Sequence, residues 1–374
     1  MTEAVIVDYA RSPFHFAHKG ALVKTRPDDL AAAVVKALLE RTGVKPEDVE
    51  DVLLGCAFPE GEQGMNVARM VSFIAGIPHC AGAATINRYC GSSMQSIHSA
   101  AGAIAMGAGH VFVCAGIESM SRVPMMGYNP LPNAALAEKM PGAYMAMGIT
   151  AENLAKSHGI SRTSQEEFAV ASHAKAARAR EARNFVEEIV AVSGVKEDGC
   201  IRPDTNATAL AGLRTAFDAA GTVTAGTSSP LTDGAAACLV VSATYARKHN
   251  LPVLAKIKSI AVAGCAPDIM GIGPVSATRK ALDRAGLSIN DIDIIEMNEA
   301  FAAQAMACLR DLNVDTERVN IDGGALAIGH PLGATGARIT GKAASLLKRE
   351  KKKYALATQC IGGGQGIATI LEAV

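Results

Sequence analysis

Short runs of consecutive apolar residues recur along the chain: Ala4-Val-Ile-Val7, Val52-Leu-Leu54, Val111-Phe-Val-Cys114, Cys238-Leu-Val-Val241 and Tyr354-Ala-Leu-Ala357. Each reads as a buried strand, and between them lie stretches with apolar residues at helical spacing, such as Asp29 to Arg41. Strands and helices in alternation predict parallel sheets covered by helices. The weakly polar stretch Ala100 to Ile117 carries His110 and four glycines, so it predicts a buried helix, a turn and a strand rather than a membrane span.

The pattern also repeats. Leu39-Glu-Arg-Thr-Gly-Val-Lys-Pro-Glu-Asp-Val-Glu-Asp-Val52 lines up with Leu282-Asp-Arg-Ala-Gly-Leu-Ser-Ile-Asn-Asp-Ile-Asp-Ile-Ile295, with identities at Leu39/Leu282, Arg41/Arg284, Gly43/Gly286 and Asp48/Asp291. Both segments predict a helix end with a glycine stop, a turn and a strand. A separation of 243 residues is far beyond solenoid periods, so the chain reads as two similar halves around an inserted middle. That middle, about Glu118 to Thr232, has a Met/Pro/Gly-rich loop from Met120 to Met147 and an Ala/Arg/Glu-rich segment from Ser164 to Ile189. Ser164-Gln-Glu-Glu167 predicts a capping box opening a long amphipathic helix of a lid or binding subdomain.

Composition narrows the function classes. The 374 residues suffice for two or three domains, and 36 basic against 36 acidic residues leave no net field to attract nucleic acid or an anionic membrane. Abundant glycine (36 residues), no Trp and 49% apolar residues suit close helix–sheet packing in an α/β enzyme. Nine cysteines without a C-x-x-C, and no basic-then-apolar leader, predict reduced thiols in the cytoplasm and no transmembrane segment. The block Lys348-Arg-Glu-Lys-Lys-Lys353 predicts a solvated helix end.

Four segments could carry chemistry. In Asn87-Arg-Tyr-Cys90-Gly-Ser-Ser93 a cysteine stands at the start of a helical stretch, where the positive dipole end and unpaired N–H groups lower a thiol pKa and offer oxyanion donors; a buried small hydrophobe is the alternative. In Gly323-Gly-Ala-Leu-Ala-Ile-Gly-His330-Pro-Leu-Gly-Ala-Thr-Gly336 glycines crowd a single His that Pro331 holds out of a helix, as in a catalytic loop. The neighbouring Gly336-Ala-Arg-Ile-Thr-Gly341-Lys342-Ala343 nearly matches a phosphate-binding loop but lacks its Ser/Thr and its leading strand. Cys360-Ile-Gly-Gly-Gly-Gln-Gly366 leaves only eight residues after it, too few for a dinucleotide fold, and fits a second reactive thiol beside flexible backbone. Glu296-Met-Asn298-Glu-Ala-Phe301 puts an Asn at the end of the repeated strand, a turn residue or a water-orienting amide. The other seven cysteines and the pairs His15/His18 and His79/Cys80 lack metal-ligand spacing, so no metal is predicted.

Together these segments resemble the thiolase family over essentially the whole chain, and Cys90-Gly-Ser-Ser-Met-Gln95, Glu296-Met-Asn-Glu-Ala-Phe301 and Thr224-Ala-Gly-Thr-Ser-Ser229 look like its bacterial fatty-acid-oxidation 3-ketoacyl-CoA branch. The resemblance implies a layered α-β-α-β-α fold of two halves related by a pseudo-dyad plus an inserted loop domain. It divides the chain into 1–117, an inserted CoA-binding 118–232, a return to the first half over 233–252, and 253–374. It implies that Cys90 is the acylated nucleophile, His330 its base, and Cys360 the acid/base at the acetyl α-carbon. Asn298 would hold a water that forms one oxyanion hole with His330, and the N–H groups of Cys90 and Gly362 would form the other. Coenzyme A, as co-substrate with no tightly bound cofactor, would meet Arg202 at its adenine, Ser229 at its pantetheine, and Met147, Phe217 and Ala225 along the channel. Expected partners are a homodimer or homotetramer, or a hydratase/dehydrogenase chain.

Two departures stand out: Met297 where many thiolases have His, and a segment from Ser193 to Asp204 that looks shortened. The first bears on chain length, the second on Arg202. A biosynthetic acetoacetyl-CoA thiolase and a 3-oxoadipyl-CoA thiolase are the nearest alternatives, and a non-catalytic acyl-CoA carrier is the alternative of another class.

Overall fold

The computed structural model describes residues 2–374. In chain order the first part supplies β1 (Ala4–Arg11), β2 (His15–Phe16), α1 (Pro27–Thr42), β3 (Asp51–Gly55), α2 (Val67–Ile74), β4 (Gly82–Ile86), α3 (Ser92–Ala105) and β5 (Val111–Ser119). The middle adds α4 (Met147–Ser157) and α5 (Arg162–Glu181) before β6 (Thr232–Ser242). The last part supplies β7 (Ala255–Gly264), α6 (Gly273–Ala285), β8 (Ile294–Met297), α7 (Ala302–Leu312), α8 (Leu332–Arg349), β9 (Tyr354–Ile361) and β10 (Gln365–Glu372).

The strands lie in the order β4-β3-β5-β6-β1-β7-β10-β9-β8, with β2 on β6. Outward from the central β1–β7 seam, which is only two residue pairs long, each arm presents the same sequence of equivalents: β6, β5 and β3 on one side, β10, β9 and β8 on the other. The repeat read in the sequence sits at matching places. Gly43 ends α1 at φ 68° and Gly286 ends α6 at φ 66°, and each leads through a short 3-10 turn into β3 or β8.

Alternation along the strands makes the layers. On β5, Val111, Val113 and Ala115 join the cluster under α1 and α2, while Phe112 and Cys114 face a central cluster with Met94 and Ile97 of α3 and Ile339 and Ala343 of α8. On β9 and β10, Ala355, Ala357 and Ile367 share that central cluster, while Leu356, Ala368 and Ile370 pack beneath α6 and α7. The order is helices, strands, the α3/α8 pair, strands, helices.

Among the strands named here, β3 pairs in parallel with β4 and β5, and β8 with β9; the other ladders between them are antiparallel. The run Gly362 to Gly364 is one reason: with Gly363 and Gly364 at φ 80° and 87°, it folds β10 straight back on β9. The cap of α5 is Ser161, whose side chain accepts from the Ser164 backbone N–H, one turn earlier than predicted, and the helix stops at Glu181 before Arg183 turns left-handed at φ 63°. The near-match to a phosphate loop lies inside buried α8, where the Lys342 ammonium is held by Glu188 at 2.9 Å and Asp322 at 2.7 Å. Glu188 and Asp198 in turn grip Arg11 of β1, fully buried, tying the middle of the chain to the sheet. The Lys348–Lys353 block is a solvated helix end.

Buried imidazoles make this fold acid-sensitive. Burial lowers His98, on Thr369 Oγ1, to about 3, and nearby Arg88 and Arg284 add to the effect; His173 falls to about 4 and His330 to about 3. Because the folded pKa lies below the unfolded value near 6.5, the unfolded chain binds protons first on acidification. The stabilising difference is therefore present above pH about 6.5 and is lost as pH falls toward 3, with a slope of up to about 1.4 kcal/mol per pH unit for each group. We expect His98→Gln to flatten the dependence of the urea midpoint on pH between 6.5 and 4. Parallel curves for parent and variant would count against it.

Candidate active site

The turn from β4 into α3 is built by its own polar side chains. Asn87 Oδ1 accepts from the Tyr89 N–H at 2.9 Å, Asn87 Nδ2 donates to the Ala57 carbonyl at 3.0 Å, and Ser92 Oγ accepts from the Arg88 N–H at 2.9 Å. These bonds hold Tyr89 at φ 44° and place partly exposed Cys90 just before α3. Gly91 lets this turn rest on β9, since a Cβ there would stand 2.6 Å from Ile361 Cδ1. From β9, Gln359 Nε2 donates to the Cys90 carbonyl.

His330 lies between a one-turn helix, Ala325–Ile328, and α8, held by Thr232 Oγ1 on its backbone N–H at 3.0 Å. Its ring is buried, with Nδ1 2.6 Å from Thr335 Oγ1 and Nε2 3.3 Å from Asn298 Nδ2. Asn298 follows β8 and is fixed by its N–H to the Thr358 carbonyl at 3.0 Å; its buried Oδ1 has no protein partner. Glu118, at the end of β5, accepts from the N–H groups of Ala57 (2.8 Å) and Gly333 (2.9 Å) and from Gln63 Nε2 (2.8 Å), so one buried carboxylate ties the loop after β3 to the start of α8. Cys360, at the end of β9, is buried against Met147, Ala300 and Phe301.

Two family descriptions match the chain: "Thiolase, N-terminal domain" over residues 4–244 and "Thiolase, C-terminal domain" over 251–373. The chain belongs to the thiolase family. It is 46% identical to the 3-ketoacyl-CoA thiolase of Bacillus subtilis (strain 168), with all of both chains covered. Among solved structures it is similar to the Bacillus anthracis acetyl-CoA acetyltransferase (38% identity, TM-score 0.92, 100% and 99% of the two chains) and to human mitochondrial 3-ketoacyl-CoA thiolase in complex with CoA (38%, 0.93, 100% and 98%). The layered fold read in the sequence is that of these relatives, and the chain is an acyltransferase.

Electrostatics in this thiolase differ from the helix-start expectation. Burial pushes the Cys90 thiol up to about 12, opposed by the N–H groups of Gly362 and of Cys90 itself, with Glu118 raising it further. Of these two donors only the Cys90 N–H belongs to the helix start, the other coming from the turn between β9 and β10, and loss of water outweighs both, so the thiol rests neutral. Burial, and then Arg338, hold His330 neutral at about 3. Cys360 is raised well above the usual thiol range by burial and then by the Cys90 thiol.

Four of the five residues predicted to meet coenzyme A fall in one region. Met147 opens α4 and packs on the cluster of Cys360 and Phe301; its Sδ lies 3.6 Å from where a Cβ on Gly362 would stand. The Phe217 ring meets Phe301 edge-on at 5.8 Å and occupies the space above Gly148, where a Cβ would overlap the ring. Ala225 opens a 3-10 turn capped by Thr224 and Thr227, and the Ser229 N–H reaches the Ala300 carbonyl at 2.9 Å. Arg202 stands apart: its guanidinium lies over Phe16 at 4.9 Å, and its N–H meets His173 Nδ1 at 3.1 Å.

Met297 sits in the outer core with Ile295, Val275 and Leu356, so the residue preceding Asn298 faces away from the thiols. The sequence reading missed Glu118, Gln359 and Thr335. A carboxylate ending a buried strand, an amide inside an apolar one and a hydroxyl five residues after the loop His were the available signals.

Proposed function

We propose that this chain thiolytically cleaves 3-ketoacyl-CoA to acetyl-CoA and a shortened acyl-CoA by a ping-pong route, in fatty acid β-oxidation. The observation that carries it is the pair of thiols, Cys90 close enough to raise Cys360 and itself met by the N–H groups of Gly362 and Cys90, with the neutral His330, paired with Asn298, two residues before the Leu332 that packs with Cys90. Names of relatives support the substrate class.

Cys90 Sγ gives its proton to His330 Nε2 and bonds to the 3-keto carbon. The C2–C3 bond breaks, its electron pair moves into the thioester enolate, and the Cys360 thiol protonates C2 to release acetyl-CoA. In the second half, the Cys360 thiolate takes the proton of the CoA thiol, which attacks the acyl group on Cys90, and His330 returns its proton to the departing sulfur. N–H groups of Cys90 and Gly362 receive the acyl-enzyme oxygen, and the buried Asn298 Oδ1 offers an acceptor to a water that completes the second hole with His330. CoA itself enters along Met147, Phe217, Ala225 and Ser229, with Arg202 toward the adenine. The segment 118–232 forms the inserted binding domain between 1–117 and the return strand within 233–252, and 253–374 is the second half.

The same reading makes the protein a cytoplasmic homodimer or homotetramer, or the thiolase subunit of a hydratase/dehydrogenase assembly. Support for self-association comes from β4, an edge strand whose residues are half-buried or exposed. Among the described residues no helix is long and apolar enough to cross a membrane.

The test is CoA-dependent cleavage along a chain-length ladder of 3-ketoacyl-CoA substrates, with Cys360→Ala alongside. Cleavage favouring longer chains supports the proposal, whereas a preference for acetoacetyl-CoA or 3-oxoadipyl-CoA points to those thiolases and no turnover points to a carrier. Cys360→Ala is expected to lose about 10²–10⁴ in kcat while Cys90 still alkylates with iodoacetamide. Retained turnover in that variant would remove Cys360 from the proton path.

A further inference from the structure

We infer that Thr335 is a positioning residue that fixes His330 in the tautomer whose Nε2 is bare, so that the imidazole can take a proton from Cys90. The inference rests on the thiolysis reading and concerns a residue outside the four that perform the chemistry.

Thr335 lies in the first turn of α8 and is buried. Its Oγ1 stands 3.0 Å from the Pro331 carbonyl, one turn back, and 2.6 Å from His330 Nδ1. A hydroxyl has one hydrogen to give. A carbonyl can only accept, and with the Thr335 hydrogen on Pro331 the oxygen presents a lone pair to the ring. Nδ1 must then carry the hydrogen. Neutral imidazole has a single N–H, and burial keeps this ring neutral, so Nε2 is left as a lone pair.

The other side of the ring agrees. Asn298 Nδ2, a donor only, lies 3.3 Å from Nε2 and would repel an N–H there. If the amide were turned over, its oxygen would accept from an Nε2–H, and Thr335 would have to abandon Pro331 to donate to Nδ1. The Pro331 carbonyl also accepts the Ala334 and Thr335 backbone N–H groups at 3.0 Å each, so it is the Asn298 amide facing Nε2 that decides between the two arrangements. With Asn298 Nδ2 on that side, the hydrogens run from Nδ1 to Thr335 Oγ1 and from Thr335 to Pro331. The device resembles the orienting partner of other nucleophile–base pairs, with a neutral hydroxyl in place of a carboxylate.

The experiment has two arms. In the first, thiolysis is measured in the parent, Thr335→Val and Thr335→Ser. Valine keeps the shape without the hydroxyl, and we expect kcat to fall by about 10²-fold with KM little changed, and serine to restore most of it. The rate of Cys90 alkylation at neutral pH should fall in parallel in the valine variant. In the second arm, nitrogen NMR of the parent enzyme labelled at histidine reads the His330 tautomer directly, assigned by its loss in His330→Ala, and does not depend on any Thr335 variant folding. A δ1-protonated ring supports the inference. An ε2-protonated ring, a valine variant with parental kcat, or a loss that serine does not restore would each overturn it. A parent without thiolysis would instead sink the functional reading, which the tautomer spectrum does not depend on.

Discussion

Cys90→Ala is expected to abolish thiolysis, with kcat falling by at least about 10⁴-fold, because no covalent route remains once the sulfur is gone. The fold should survive. Cys90 belongs to a turn held by Asn87, Ser92 and Gln359 rather than by its own side chain. Thermal unfolding within a few degrees of the parent, together with undetectable CoA-dependent cleavage, is the expected pair of results. Cleavage at more than about a hundredth of the parental rate would mean that another group does the chemistry.

His330→Ala is expected to lower kcat/KM by about 10²–10⁴-fold at pH 7 and to change its pH dependence. In the parent, His330 is neutral from about pH 3 upward, so the base is in its working form throughout the neutral range. Without it the only route to a thiolate is ionisation of Cys90, which burial has pushed up to about 12. The thiolate fraction then grows about tenfold per pH unit below that value, so the variant should gain activity steeply between pH 7 and 9 while the parent changes little. A variant profile as flat as the parent's would remove the general-base role. The loss in Cys90→Ala should show no such recovery with pH.

Much of this is legible in the amino-acid sequence. The Leu39–Val52 and Leu282–Ile295 repeat located two equivalent helix stops, and the structure puts them on mirror arms of one sheet. Apolar runs found the strands but not their directions, because a strand buried on both faces has the same composition in a parallel and an antiparallel ladder. The glycine run after Cys360 was read as chemistry alone, although it also makes the reversal into β10. Cys90, His330 and Cys360 stand out by their local settings, whereas Asn298 alone reads as a turn residue or a water-orienting amide and takes its expected role from the family resemblance. Thr335 and Glu118 were not, since a hydroxyl in a helical turn and a carboxylate at a strand end carry no signal until their partners are known. The thiol pKa went the wrong way for a similar reason: dipole and N–H donors follow from local sequence, while desolvation depends on what packs above the turn.

The most direct test of the account is the mass of the covalent intermediate. The enzyme is mixed with a 3-ketoacyl-CoA in the absence of free CoA, quenched in acid and digested, and the peptide containing Cys90 is weighed. The account predicts a thioester on Cys90 whose acyl chain is two carbons shorter than that of the substrate, because the C2–C3 bond breaks as acetyl-CoA leaves. An adduct on Cys360, or a full-length 3-ketoacyl group on Cys90, would contradict it.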